Sequence, residues 1–246
     1  MKNVALITGA AGGLGQAMAA KLTDAGYQLI VTSRDGARLA QAYGDQHLQI
    51  VADCSTVAGA RHIFDMAKEH HVLPTALAHC VGNIRLGALH RMSEHDFMDC
   101  LNANLISAFH TLAAFVAQLR EASIGGAAVL VSSAAARVGT PNHEAVAAAK
   151  AGLEGLVRGA AATYASAAIR INAVAPGIMD TPASAAMLSN AGVRDAAARQ
   201  YPLPGIGSSG ELANLMAWLL SEQANRVTGQ VWSMDAGFST IRPLVK

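Results

Sequence analysis

The chain opens with the stretch NVALITGAAGGLG at residues 3–15. Residues 3–8 are nearly all apolar, without the polar alternation of a half-solvated strand, so they predict a strand covered on both faces. Gly9, Gly12, Gly13 and Gly15 follow at once, and from about Gly13 to Ala25 the residues suit a helix. Glycine lets the backbone approach a ligand closely, and the start of a helix offers free N–H groups with partial positive charge. A buried strand that runs through such a turn into a helix is the arrangement that holds a pyrophosphate at the start of a βαβ unit. It commits the chain to a parallel sheet, because a strand buried on both faces needs helices on both sides.

The remaining sequence keeps that rhythm. Strands are predicted at 28–33 (QLIVTS), 48–53 (LQIVAD), 75–82 (TALAHCVG), 127–133 (AAVLVSS), 169–177 (IRINAVAPG) and 230–235 (QVWSMD). Helices are predicted near 36–43, 56–70, 93–120, 143–165 and 209–221. Strands alternating with helices over short connections make right-handed crossovers. The expected fold class is α/β, a single doubly wound Rossmann domain over residues 1–246, with a parallel sheet of about seven strands and helices on both faces. Residues 177–208 break the rhythm beyond a strand C-terminus, the edge where open α/β sheets bind ligands. They are read as a substrate-covering lid, with a surface insertion of short helices as the alternative.

Net charge is +1 and only 14% of residues are charged. No basic field argues for nucleic acid, and no acidic tail is present. Cys54, Cys80 and Cys100 fit neither a disulfide framework nor a paired metal motif, and are read as buried thiols in a reducing cytosol. No apolar run of roughly 18–20 residues stands out as a membrane span. The N-terminal apolar run is too short for a signal segment and enters the glycine turn directly. The expectation is a soluble, cytoplasmic protein without metal, membrane or nucleic-acid partners. Low charge with many Ala and Gly residues points to surface covered by other subunits.

The T-G-x-x-x-G-x-G pattern of residues 8–15 resembles the turn of the short-chain dehydrogenase/reductase family, and the resemblance extends over nearly the whole chain. Asp53, closing the third strand, resembles the family's adenine-contacting Asp. Asn104 in NANLISAF resembles the Asn that holds a relay water. Ser133 ends the fifth strand as the family's catalytic serine does, and Lys150 stands where its lysine stands. IRINAVAPGIMDT resembles the nicotinamide-side segment, with Pro176, Gly177 and Thr181, and TGQVWSMDAG the C-terminal signature. The resemblance implies an NAD(P)-dependent oxidoreductase of a small-molecule substrate, and a homotetramer or dimer built on the 93–120 and 143–165 helices. The cofactor contacts it implies are Thr8, Gly9, Gly13, Leu14 and Gly15 in the turn, Asp53 and Cys54, Val81 and Gly82, Lys150, and Pro176, Gly177 and Thr181.

The end of the second strand chooses between the two nicotinamide cofactors. An acidic residue there would bind a 2′-hydroxyl and repel a 2′-phosphate. Ser33 and Arg34 offer a hydroxyl and a forked cation, which suit the phosphate, so NADPH is favoured over NAD. Similar family members with Ser-Arg here prefer NADP. Many also carry a basic residue inside the glycine turn, where this chain has Ala10 and Ala11.

The family's reduction takes its proton from a Tyr four residues before the lysine, with its pKa lowered by the ammonium. Here that position is Val146, which cannot give a proton. His143 lies seven residues before Lys150, so on one helix His143, Val146 and Lys150 would form one stripe. The enoyl-ACP reductase branch resembles this spacing, with its Tyr seven before the lysine. A free imidazole titrates near neutral pH, so His143 is the candidate donor. Tyr201 in the lid, the substrate or solvent are the other sources. The fourth strand ends HCVG where the family has N-x-A-G, and His79 is expected to face the cofactor while substituting for the family's Asn in holding strand ends. Met179, Met187 and Leu188 are expected to cover a fairly apolar ketone or enone. The rival reading is a cofactor-binding subunit or sensor that has lost turnover; Val146 favours it, and the intact Ser133, Lys150 and Asn104 oppose it.

Overall fold

The computed structural model describes residues 3–242. In chain order it forms β1 (Val4–Thr8), α1 (Gly13–Asp24), β2 (Gln28–Ser33), α2 (Gly36–Tyr43), β3 (Leu48–Val51), α3 (Val57–Glu69) and β4 (Ala76–His79). There follow α4 (Glu94–Leu101), α5 (Ser107–Ala122), β5 (Gly126–Val131), α6 (Glu144–Tyr164) and β6 (Ile169–Pro176). The chain continues with β7 (Met179–Asp180), α7 (Ala191–Ala198), β8 (Gly207–Ser208), α8 (Ser209–Leu220) and β9 (Val231–Met234).

Seven strands pair in parallel in the order β3-β2-β1-β4-β5-β6-β9. The apolar runs are explained by the two faces they fill. Leu6, Ile30, Leu77 and Leu130 point into one core cluster with α5 and α6, while Ala5, Ile7, Val31 and Val129 point into another with α1 and α8. The chain winds outward from β1 on one side and from β4 on the other. The crevice between their C-terminal ends is therefore the topological switch point, where such sheets take ligands.

Three expectations need correction. Strands 3 and 4 end earlier than predicted, at Val51 and His79, with Ala52 N and Cys80 N making closing bonds to Ser33 O of β2 and Thr8 O of β1. The 93–120 helix is not uniform, since Asn102–Ile106 form a π-helical segment between α4 and α5. There the side chains of Asn104 and Ser107 donate back to Cys100 O at 2.9 Å and Ala103 O at 2.7 Å. Side-chain donors thus occupy carbonyls where the usual i→i−4 ladder is interrupted. Finally, Glu94–Ala122 taken as one helix is long and apolar enough to cross a membrane by length and composition, with mean hydropathy 1.4 over an 18-residue window. In this fold its apolar side, including Leu112, Phe115 and Leu119, packs into the core beside the sheet.

Residues 177–208 hold the short parallel pair β7–β8 and α7. Arg194 of α7 forms an ion pair with Asp180 of β7, and Leu188 is buried.

Candidate active site

The glycine turn is shaped by contact. Gly9 has φ +65°, and a Cβ there would lie 2.8 Å from Cys80 O, so the turn rests directly on the end of β4. A Cβ on Gly13 would lie 2.9 Å from the Pro182 ring, which brings the start of the 177–208 segment against the same turn. Gly12 caps α1 without a side-chain bond, so its first-turn N–H groups stay available to an anion. Tyr43 Oη donates to Ala10 O at 2.7 Å and pins the turn from α2.

His79 does not face the cofactor crevice. It is buried between Thr8 Oγ1, 2.9 Å from Nδ1, and Ser107 Oγ, 3.2 Å from Nε2. Ser107 donates its own proton to Ala103 O. Nε2–H must therefore donate to Ser107, and Nδ1 must accept from Thr8. Burial, with Lys150 adding to it, pulls the imidazole down to about 3, so the ring is neutral. The strand-holding half of its expected role fits this geometry, and the ring also ties β1 and β4 to the start of α5.

At the end of β2, Ser33 Oγ accepts from Asp35 N at 3.2 Å and Arg34 is exposed. Asp53 is held below the usual carboxylate range, first by the Ser55 hydroxyl and with Arg34 contributing. The sequence reading missed Arg38, whose Nη2 donates to Ala11 O at 3.2 Å. A guanidinium from α2 thus lies over a turn that carries no basic residue of its own. The signal was available: Arg38 is four residues after Arg34, in the first turn of the helix that Asp35 caps. Uncapped helix, close-packed glycines and two cations fit a phosphorylated dinucleotide.

Lys150 is buried, and its Nζ donates to Val131 O at 2.7 Å, two residues before Ser133. Burial lowers its ammonium to about 8. Ser133 Oγ accepts from Ala135 N at 3.2 Å, leaving its proton free. Ser132 is the poorer candidate, because its hydroxyl donates to buried Glu154 at 2.9 Å. Asn104 Oδ1 is buried without a partner; a Cβ on Gly82 would lie 2.6 Å from it and 3.4 Å from Lys150 Nζ. The structure therefore gathers Lys150, Asn104 and Gly82 at one point, with the Ser133 turn adjoining.

Val146 is buried in a small apolar cluster with Cys100, Ala145, Met92 and Phe97. His143 is the N-cap residue of α6, with φ −105° and ψ 16°, so the helical stripe begins only at Glu144. The expected alignment of His143 with Val146 and Lys150 by helical period does not apply, because the N-cap lies outside helical dihedrals. The ring is half-buried, and its Nδ1 is 2.8 Å from Pro141 O. A carbonyl only accepts, so Nδ1 carries a proton, and Nε2 bonds to no described residue. Tyr201 Oη accepts from Ile178 N at 2.7 Å, with its ring against Gly177, and burial raises its phenol. Thr181 Oγ1 shares a 3.1 Å hydrogen bond with Ser184. Among the described residues no group of three His, Cys, Asp or Glu side chains could hold a metal.

A family model described as enoyl-(acyl carrier protein) reductase matches residues 9–239. The 3-oxoacyl-(acyl-carrier-protein) reductase FabG of Pseudomonas aeruginosa is 32% identical over 240 residues, 95% of this chain and 96% of that enzyme. The A-factor type gamma-butyrolactone 1'-reductase of Streptomyces virginiae is 30% identical over 249 residues, 97% and 96% of the two chains. A short-chain type dehydrogenase/reductase from Mycobacterium ulcerans superposes with TM-score 0.90 at 25% identity, over 98% of this chain and 90% of the other. ElxO with NADP bound gives 0.88 at 25% identity, over 97% and 99%.

Proposed function

Because this chain belongs to the short-chain dehydrogenase/reductase family, whose members here are NAD(P)-dependent oxidoreductases, we propose that it reduces a fairly apolar ketone or enone with NADPH and a non-tyrosine proton donor. The observation that carries this reading is the meeting of Lys150 Nζ, the unpartnered Asn104 Oδ1 and Gly82 beside the Ser133 turn. NADPH, when bound, supplies the hydride. Thr8–Gly15 hold its pyrophosphate; Ser33 and Arg34, joined by Arg38, hold the 2′-phosphate; Asp53 and Cys54 flank the adenine end. Lys150 holds the nicotinamide ribose and contributes positive charge. Val81, Gly82, Pro176, Gly177 and Thr181 line the nicotinamide side. Ser133 donates its free proton as a hydrogen bond to the substrate oxygen, polarising it. His143, as imidazolium, carries an Nε2 proton that it can give to the reduced substrate, and it regains that proton from solvent. Residues 177–208 cover the substrate with Met179, Met187 and Leu188. NADPH is favoured because Arg34 stands exposed at the end of β2 and the Arg38 guanidinium lies on the glycine turn, and because ElxO, a structural relative, holds NADP. The description of the family model fits an enone, and the names of the curated relatives fit a ketone.

The same reading makes the chain a cytoplasmic homo-oligomer, tetramer or dimer, assembled on the α4–α5 stretch and α6; on α6, Ala148, Ala151, Gly155 and Gly159 are exposed. The apolar packing of Val146 favours one second reading, a cofactor-binding subunit without turnover. NADPH oxidation with a panel of ketones and enones, on wild type and His143→Phe, separates these. Loss of turnover in His143→Phe with NADPH still bound is expected. Unchanged turnover removes His143 as the donor, and tight NADPH binding without turnover by the wild type supports the second reading.

A further inference from the structure

The groups around Asn104 allow one orientation of its amide. Nδ2 lies 2.9 Å from Cys100 O, 3.1 Å from Asn83 O and 3.0 Å from Asn83 Oδ1. Backbone carbonyls only accept, so the NH2 end must face them and Oδ1 must face away. That oxygen is the buried, unpartnered one beside Gly82 and Lys150. An acceptor is thereby held on the ammonium's side, where its partial negative charge favours the protonated lysine.

Two of the three oxygen acceptors belong to Asn83, which lies in an irregular loop after β4 rather than in a helix or strand. Asp99 of α4 holds it there. Asn83 Nδ2 donates to Asp99 Oδ2 at 2.9 Å, and Arg85 Nε donates to the same oxygen at 2.8 Å. One carboxylate thus gathers two loop side chains onto the helix that leads into Asn104, without itself bonding to Asn104 or Lys150.

We propose that Asp99 is a positioning residue for the Asn104–Lys150 pair: by holding Asn83 it keeps Asn104 presenting an oxygen, not an NH2 group, toward Lys150. This rests on the reading that Asn104 and Lys150 serve the reaction. The titratable groups around the lysine are His79 on β4, Cys80 just beyond it and Cys100 on α4. Burial keeps both thiols protonated and the imidazole neutral. On α6 itself, Glu154 one turn on is engaged by Ser132 and Arg137. Val131 O is then the hydrogen-bond partner of the ammonium, and the oriented Asn104 oxygen, itself unbonded beside Gly82, is the neighbouring dipole.

The test reads Lys150 directly and needs no turnover. Lysine labelled with carbon-13 at Cε, followed by NMR as pH rises, reports each lysine, and Lys150→Arg identifies its signal. Asp99→Leu should lower the Lys150 midpoint by on the order of half a pH unit, toward that of Asn104→Leu. Asp99→Asn, which keeps an acceptor for Asn83, should restore it; a general loss of packing would not discriminate in this way. An unchanged midpoint in folded Asp99→Leu, or in Asn104→Leu, overturns the proposal. If Asp99→Leu does not fold, Asn83→Ala breaks the same bond from the other side and is read by the same criterion. If the midpoints shift as stated while the wild type reduces no substrate, the reductase reading fails and the positioning role stands.

Discussion

Returning a phenol to α6 by Val146→Tyr tests whether the missing donor limits this site. Position 146 is one helical turn before Lys150, so its side chain and the lysine share a face. The slot is filled: Val146 is 5% exposed and packs on Met92, Phe97, Cys100 and Ala145. Adding a ring to a packed cluster costs about 1–3 kcal/mol. At about 2–4 °C per kcal/mol for a domain of this size, the melting temperature should fall by roughly 2–12 °C. In return, the Lys150 ammonium would lower the new phenol from its usual value near 10, and a placed general acid contributes about 10²–10⁴-fold. The assay is NADPH oxidation under saturating substrate, beside a thermal melt and NADPH binding. A folded Val146→Tyr that binds NADPH but gains no kcat on any ketone or enone refutes the argument that the apolar slot is what limits proton transfer. The double variant with His143→Phe adds a check: the histidine change should slow the wild type and leave the tyrosine variant unaffected.

Two further outcomes follow from other parts of the site. Arg38→Ala should weaken NADPH binding about tenfold, the value of a charge-assisted hydrogen bond discounted for exposure, and leave NADH binding unchanged; cofactor fluorescence titration reads both, and equal losses would show that Arg38 acts only by holding the turn. His79 should make the fold acid-sensitive. Its folded pKa, about 3, lies below the ordinary value near 6.5, so the unfolded chain binds the extra proton between the two. Its contribution to stability is therefore present above about pH 6.5 and lost as pH falls toward 3, by at most about 1.4 kcal/mol per pH unit. Urea melts across that range should show the slope, and His79→Asn should flatten it.

The fold was readable because burial on both faces leaves an unbroken apolar run in each strand, and because the glycines after β1 have a steric reason that spacing alone exposes. Asp53, Asn104, Ser133 and Lys150 became candidates through the resemblance to the family, and Ser33 and Arg34 through their place at the end of the second strand. Strand ends were less legible, since apolar residues continue past Val51 and His79 and composition alone does not mark where pairing stops.

What the sequence determined by itself was the parallel Rossmann architecture, the cofactor edge and the absence of a tyrosine at position 146. Only the tertiary structure decided what surrounds that absence. Helical periodicity put His143 on the lysine's stripe, but the helix begins one residue later, and the dihedrals of an N-cap are set by the turn before it. Arg38 reaches Ala11 across 27 residues of sequence, and Asp99 reaches the loop of Asn83. His79 bonds partners 71 residues before it and 28 after it. Hydrogen-bond direction at such sites is fixed by which neighbours can only accept, and those neighbours are brought together by packing, so no local pattern in the chain records them.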